Sequence, residues 1–323
     1  MAKLKGIKAA MPFAIGAALH TWCGKAVKNA EKVSELIAGF KHIEPGADAW
    51  ISYGLVEPFE EGSFVHSLDG LAHLMFMKFS EKILPGAVRD KELAKRLKEL
   101  FDKTGRAPTK VEYAQTRDEA EAYLLPKAFV RDTIIPILVY KDKIIFCTTS
   151  AKKMEQANSV LNQLAQARKV EYDPRYMDGE HINFHMTELA KSGVIHFDDE
   201  DSAYRFDAGK SGVFKRDGEQ KAVARIKDRD LSHAEVQKLF DSGYEATEIG
   251  MALYDQTEGK DSAQFTLTEK WVIKGIKLAD KDELRTHADA HATYWLYARY
   301  IGMIVDLLQE ALAEAKPDGD DEL

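Results

Sequence analysis

Three short strings carry residue types that could do chemistry. Asp207-Ala-Gly-Lys-Ser-Gly212 holds a Gly-Lys-Ser triplet, the ending of a phosphate-binding loop. Such a loop needs another glycine five residues before Gly209, so that successive amides can cradle phosphate, and that position is Tyr204. Two histidine pairs, His181/His185 and His287/His291, have the spacing that puts two imidazoles on one helix face as zinc ligands. Around His181 the polar–apolar alternation predicts a strand instead, and no third ligand is placed beside His287, Asp289 and His291. The run Asp198-Asp-Glu-Asp201 has the acids of a two-metal nuclease site. Such sites draw carboxylates from several directions, whereas consecutive acids diverge, so the run reads as a solvated loop. There is no Gly-x-Ser-x-Gly elbow and no Cys/His nucleophile arrangement. Cys23 and Cys147 lie far apart, without metal or redox spacing, and read as buried free thiols of a reducing cytoplasm. No catalytic constellation emerges.

Binding is the other use of side-chain chemistry, and here the charge distribution matters. The 323 residues include 45 Lys+Arg and 53 Asp+Glu, a formal charge of −8. The length suits two domains or one elongated body. With 45% hydrophobic and 30% charged residues, the composition is that of a globular protein. No apolar stretch approaches the ~18 residues of a membrane span; Ile134–Tyr140 is ended by Lys141, Asp142 and Lys143. Met1–Ile7 lacks the apolar core of a signal peptide. Secretion and membrane insertion are therefore not expected. The charge is segregated: residues 78–110 hold ten bases against five acids, and residues 205–229 eight against four. The acids gather at Asp198–Asp201 and in the tail Asp318–Glu322. An acidic chain can thus present a basic surface to a polyanion.

The elements that must position these groups follow from periodicity. Leu4–Phe13 predicts an opening strand, and Ala26–Phe40 a helix with Val27, Ala30, Val33, Leu36 and Ile37 on one side. Phe64–Phe79 predicts one or two strands about the turn pair Asp69-Gly70. Lys91–Asp102 predicts an amphipathic helix on Leu93, Leu97 and Leu100, ending near Gly105. Thr104–Thr116 predicts a surface loop and Arg117–Tyr123 a short helix. Ile134–Tyr140 and Lys143–Cys147 predict a hairpin around Asp142, Ser150–Ala167 a helix, and Asp173–Gly179 a linker. His181–Met186 predicts a strand, and Val213–Lys215 with Val223–Lys227 flank the turn Asp217-Gly218. Ser232-His-Ala-Glu235 predicts a capping box for a helix ending at Gly243. Glu248–Tyr254, Gln264–Thr268 and Trp271–Leu278 predict strands. A long helix from Glu283 to about Ala315 would bury Tyr297, Ile301, Ile304, Val305, Leu308 and Leu312, before a disordered acidic tail, Lys316–Leu323.

Seven strings, in order, resemble the recombination-associated protein RdgC family. They are Tyr53-Gly-Leu-Val-Glu-Pro58, Glu81-Lys-Ile-Leu-Pro85, Leu124-Leu-Pro-Lys-Ala-Phe129, Ser150-Ala-Lys-Lys153, Lys191-Ser-Gly193, Asp230-Leu-Ser232 and Asp282-Glu-Leu-Arg285. The resemblance runs from about residue 4 to 312. It implies an α+β (mixed α/β) fold: an elongated, curved subunit of antiparallel sheets and flanking helices, paired into a ring-shaped homodimer. The ring would encircle double-stranded DNA with little sequence preference, single-stranded DNA being left open, and restrain RecA-dependent recombination. A cytoplasmic, nucleoid-associated protein with no cofactor, no metal and no catalytic residues is implied.

Carried over residue by residue, the resemblance makes Phe129, with Pro126 and Lys127, one dimer contact, although Phe129 also reads as an ordinary core phenylalanine. Arg106 falls where the family has an arginine tied to ring function. Lys78, Lys82, Lys91, Lys95, Lys98, Lys152 and Lys153 become DNA contacts. Arg225, Lys227 and Arg229 stand near a family lysine, and Tyr244 replaces another. The implied organisation is a central α/β region (1–80 and 130–180) and a basic helical arm (81–129). A strand-rich region (181–282), a long helix (283–315) and the tail (316–323) follow. Two alternatives stand beside this reading: a metal-dependent nuclease using Asp198–Asp201 with His287 and His291, and a recombinase-binding regulator that acts through the tail without touching DNA.

Overall fold

A single strand, β1 (Ala9–Ala14), is shared between the two halves of the protein. Ala9 and Ala10 pair with β13 (Ile273–Leu278), whereas Met11–Ala14 pair with β6 (Lys143–Phe146). The structure, a computed structural model, describes residues 6–28, 37–59, 63–177, 182–195, 203–216, 222–231, 233–279 and 289–314. Through β1 one thirteen-stranded sheet runs in the order β10-β9-β11-β12-β13-β1-β6-β5-β4-β2. The remaining members of this path are β2 (Ile51–Val56), β4 (Ala72–Ile83), β5 (Phe129–Tyr140), β9 (Tyr204–Arg216), β10 (Ala222–Ile226), β11 (Glu245–Asp255) and β12 (Lys260–Thr268). The short strands β3 (His66–Leu68), β7 (Arg175–Tyr176) and β8 (Val194–Ile195) attach to β4, β1 and β9. Every pairing between these strands is antiparallel.

Seven α-helices among the described residues complete a mixed α+β fold: α1 (Ala18–Lys28), α2 (Gly86–Thr104), α3 (Lys110–Leu124), α4 (Ala151–Arg168), α5 (Ile182–Ser192), α6 (Ala234–Asp241) and α7 (Ala290–Glu314). None is long and apolar enough to cross a membrane.

Successive residues of a strand face opposite sides, so the apolar run of β4 fills two cores. Met75, Met77 and Phe79 join Ile137 and Phe146 under α1 and α4, which contribute Leu19, Cys23, Leu161 and Leu164. Leu74 and Phe76 turn the other way, beneath Tyr297, Ile301, Ile304, Val305 and Leu308 of α7. That second core continues across Phe206, Phe214, Ile249 and Leu253 to Met186 and Leu189 of α5 and Val236 of α6. Cys23 is buried and Cys147 half-buried, both free, and burial pushes both thiols up.

Several turns follow the expectation: Asp69 and Gly70 take positive φ in the three-residue turn between β3 and β4, and Gly105 takes the left-handed cap after α2. Other elements differ. The stretch Thr104–Thr116 is not a loop throughout, because α3 begins at Lys110. His181–Met186 is not a strand: from Ile182 the chain is helical, and Ile182, His185, Met186, Leu189 and Ala190 form a buried stripe of helical period. A six-residue window alternates by chance; eleven residues expose the period. The first helix begins at Ala18, eight residues early, while residues 29–36 lie outside the described residues. Part of Asp173–Gly179 pairs with β1 as β7. The cap of α6 is His233, whose imidazole accepts from the Glu235 amide at 3.3 Å, and Ser232 lies outside the described residues. The Gly-Lys-Ser triplet sits within β9 and forms no phosphate loop.

Candidate nucleic-acid interface

The arm formed by α2 and α3 is specified locally. The Gly105 amide closes α2 on the Phe101 carbonyl at 2.8 Å. Four residues on, Thr109 and Glu112 form a reciprocal capping box that starts α3. Arg106 grips the same Glu112 with two nitrogens, each at 2.9 Å. That guanidinium, followed by the Thr109 amide, holds the Glu112 carboxyl at about 2. Arg106 is thus committed to the arm's own turn. Lys91, Lys95 and Lys98 are spaced i, i+4, i+7, share one face of α2, and are exposed without an ion pair among the described residues. Lys103 and Lys110, on α2 and α3, are likewise exposed without an ion pair among the described residues. The Thr109-x-x-Glu112 pattern was the signal that could have located α3 from sequence.

At the base of the arm, β4 and β5 form a ribbon that ends in the pair Ile83–Phe129. Phe129 is 77% exposed and is no core residue. Ile83, Val130, Ile134 and Tyr123 are exposed as well. Pro126 and Lys127 form the exposed turn leading into Phe129, and the Lys127 ammonium lies 3.7 Å from the Tyr123 ring centroid. Toward β6, the final hydrogen bond of β5 is the one its Pro136 carbonyl accepts from the Cys147 amide at 2.9 Å. From Phe129 to Ile135 the strand pairs, among the described residues, only with β4, which leaves one edge open.

Lys78 and Lys82 face a different task. Lys82 is buried and donates to the carbonyls of Gly46 (2.6 Å) and Ala47 (3.0 Å). Lys78 pairs with Glu44 (2.7 Å) and Asp132 (3.0 Å). The Ser80 hydroxyl, which donates to Asp132 at 2.7 Å, and then Lys78 hold the Asp132 carboxyl below its ordinary range. Both lysines strap the segment before β2 onto the ribbon, so neither ammonium reaches outward. Of the pair opening α4, Lys152 is exposed; Lys153 is half-buried, 5.6 Å from the Phe79 ring centroid, and burial lowers its ammonium.

At the far end of the strand order, Arg225 and Lys227 are exposed and form no ion pair among the described residues, while Arg229 pairs with Glu235. The exposed candidates without an ion pair among the described residues thus lie on α2, at the start of α4, and on and just after β10.

Among the described residues no three His, Cys, Asp or Glu side chains gather to hold a metal. His291 contacts His66 at 2.8 Å and Asp69 at 3.2 Å, tying the start of α7 to the β3–β4 turn. His181, His287, Asp198–Asp201 and the tail 316–323 lie outside the described residues.

A family model described as "Putative exonuclease, RdgC" matches residues 17–313. The chain belongs to the RdgC family. Its relatives include the recombination-associated protein RdgC of Sodalis glossinidius (strain morsitans), 24% identical over 254 residues, 77% of this chain and 78% of that protein. The protein of that name from Pseudomonas putida (strain GB-1) is 26% identical over 234 residues, 71% of each chain. Its counterpart from Pseudomonas syringae pv. tomato (strain ATCC BAA-871 / DC3000) is 27% identical over 240 residues, again 71% of each. These names attach the RdgC family to recombination, and the family model's description adds exonuclease.

Proposed function

We propose that two copies of this RdgC-family chain close into a ring around duplex DNA and so restrain RecA-dependent strand exchange. Phe129, Pro126 and Lys127 form one of the contacts. Lys91, Lys95, Lys98 and Lys152 are free to neutralise phosphates at one end of each subunit, Arg225 and Lys227 at the other. Contacts to phosphate carry no direct sequence information, which accounts for binding with little preference. Such a protein acts in the cytoplasm on the nucleoid.

The observation that carries this reading is the exposed Phe129, at the end of a ribbon whose edge is open and whose neighbours are apolar. A large aromatic in that position is the kind of anchor that dominates a protein contact. Phe129→Ser is expected to weaken self-association by about 2 kcal/mol, roughly 30-fold, without unfolding the subunit. Sedimentation measures the first, and retention on closed circular against linear duplex measures the loss of encirclement. Unchanged association and retention would remove Phe129 from the contact. Incubating DNA with the protein and Mg²⁺ or Mn²⁺ tests the exonuclease reading, and metal-dependent cleavage would replace the ring as the primary activity.

A further inference from the structure

Among the described residues, the half of the sheet built from β9 to β13 is covered by helices on one face only. Phe206, Phe214, Ile249 and Leu253 face α5 and α6. The intervening residues face outward: Val223 pairs with Lys215 and Arg225 with Val213 on the open side, where Val223 is 57% exposed. A groove of about 490 Å³ crosses this face. It is lined by Lys215, Arg225, Lys270 and Lys274 against two acids, Glu248 and Glu269. Each acid is matched: Lys215 lies 3.3 Å from Glu269 and Lys274 lies 2.8 Å from Glu248. Arg225 and Lys270 are exposed and form no ion pair among the described residues, so they leave the groove net positive on a chain of charge −8.

We propose that this groove is a phosphate-backbone site for duplex DNA, with Arg225 and Lys270 as its contacting cations, while Lys215 and Lys274 are taken up by Glu269 and Glu248. The proposal rests on the DNA-binding reading above and names a surface for it. The apolar side chains between the cations are valines, and among the described residues the groove is lined by no aromatic ring. Single-strand binding sites gain much of their affinity from bases stacked on aromatic rings. This groove can offer charge but no stacking platform, so the duplex backbone is the ligand whose chemistry it matches.

The test is the salt dependence of binding by the full-length protein. For a duplex, removing one cation that neutralises a phosphate makes the slope of log affinity against log salt shallower by about 0.9. Arg225→Ala with Lys270→Ala is expected to lower affinity for a duplex of about 30 base pairs at least ~10-fold at moderate salt. The slope should become shallower by about 1.8. Affinity for an unstructured single strand of equal length is expected to be weaker in the wild type. A wild-type protein that binds, beside a double variant with the same affinity and slope, overturns the groove and removes Arg225 from the ring's phosphate contacts, while encirclement through Phe129 is left standing. Tighter binding of the single strand overturns the assignment of the duplex. A wild-type protein that binds neither overturns both proposals. Hydrogen exchange on the wild type keeps the test independent of the variant's folding. Strands around Lys215, Arg225 and Lys274 should gain protection when duplex is added, and no gain there overturns the site.

Discussion

The arm and the long helix α7 put similar residues to opposite uses. In α7, Tyr297, Ile301, Ile304, Val305 and Leu308 are buried against the sheet. In α2 and α3 only Leu93, Thr116 and Ala120 are buried, while Val88, Phe101, Val111, Tyr113 and Tyr123 are exposed. The arm holds its shape with a left-handed glycine cap, a capping box and i,i+4 pairs such as Arg96–Glu92 and Arg117–Glu121. Pairs of this kind contribute only a few tenths of a kcal/mol each. The body is held by burial, which is worth far more per residue. A segment specified by local signals can leave its apolar side chains free for a partner; a segment specified by burial cannot.

Breaking this contrast calls for substitutions on both sides of it. Phe214→Ala removes a fully buried ring and should cost about 3–5 kcal/mol in urea unfolding. Phe101→Ala on the arm should change global stability by less than about 0.5 kcal/mol. Equal effects would mean that the arm shares the body's core.

Next in size is Asp306→Asn. The Asp306 carboxylate on α7 accepts from the Tyr140 hydroxyl (3.0 Å), the Lys141 ammonium (2.6 Å) and the Lys143 ammonium (2.9 Å). Burial pushes its carboxyl up, but the two lysines outweigh burial and bring it below the ordinary aspartate range. Because the native value is depressed, this contribution is complete above about pH 3.9 and is lost as pH falls through the native value. The variant should be about 1–3 kcal/mol less stable at neutral pH and approach the wild type in strong acid.

The smallest loss expected from removing a contact belongs to the cap. Thr109→Ala should raise hydrogen exchange in α3 by an amount equivalent to about 1 kcal/mol and leave the strands unchanged. Glu112, held at about 2 chiefly by Arg106, keeps the wild-type cap intact above the ordinary glutamate range, near about pH 4.3. The cap is lost as pH falls toward that lower value.

Much of the architecture was legible because local and long-range signals agreed. Asp69-Gly70 marked a hairpin, Gly105 a helix end, and the spacing from Tyr297 to Leu308 a buried helix. Failures arose where the signals competed. Gly105 and Pro108 spoke for a loop and hid the Thr109–Glu112 box. The alternation His181–Met186 concealed a helix whose burial pattern needed residues up to Ala190. At the candidate site, sequence could name basic residues but not their commitments. Lys78, Lys82 and Arg106 resemble Lys91 and Lys95 in the chain, yet the first three are tied to Glu44 and Asp132, to the Gly46 and Ala47 carbonyls, and to Glu112. Those partners lie far along the chain, as Asp132 does from Lys78, or depend on a turn geometry that no spacing rule encodes.

The position of β1 has a consequence for biosynthesis. Among the described residues its first two residues pair with Lys274 and Ile273, so a nascent chain emerging from the ribosome must wait for more than 260 further residues before that seam can close. Until then the half containing β2 to β6 has to persist with an unfinished border, and the completed protein is sealed by the pairing of early and late segments.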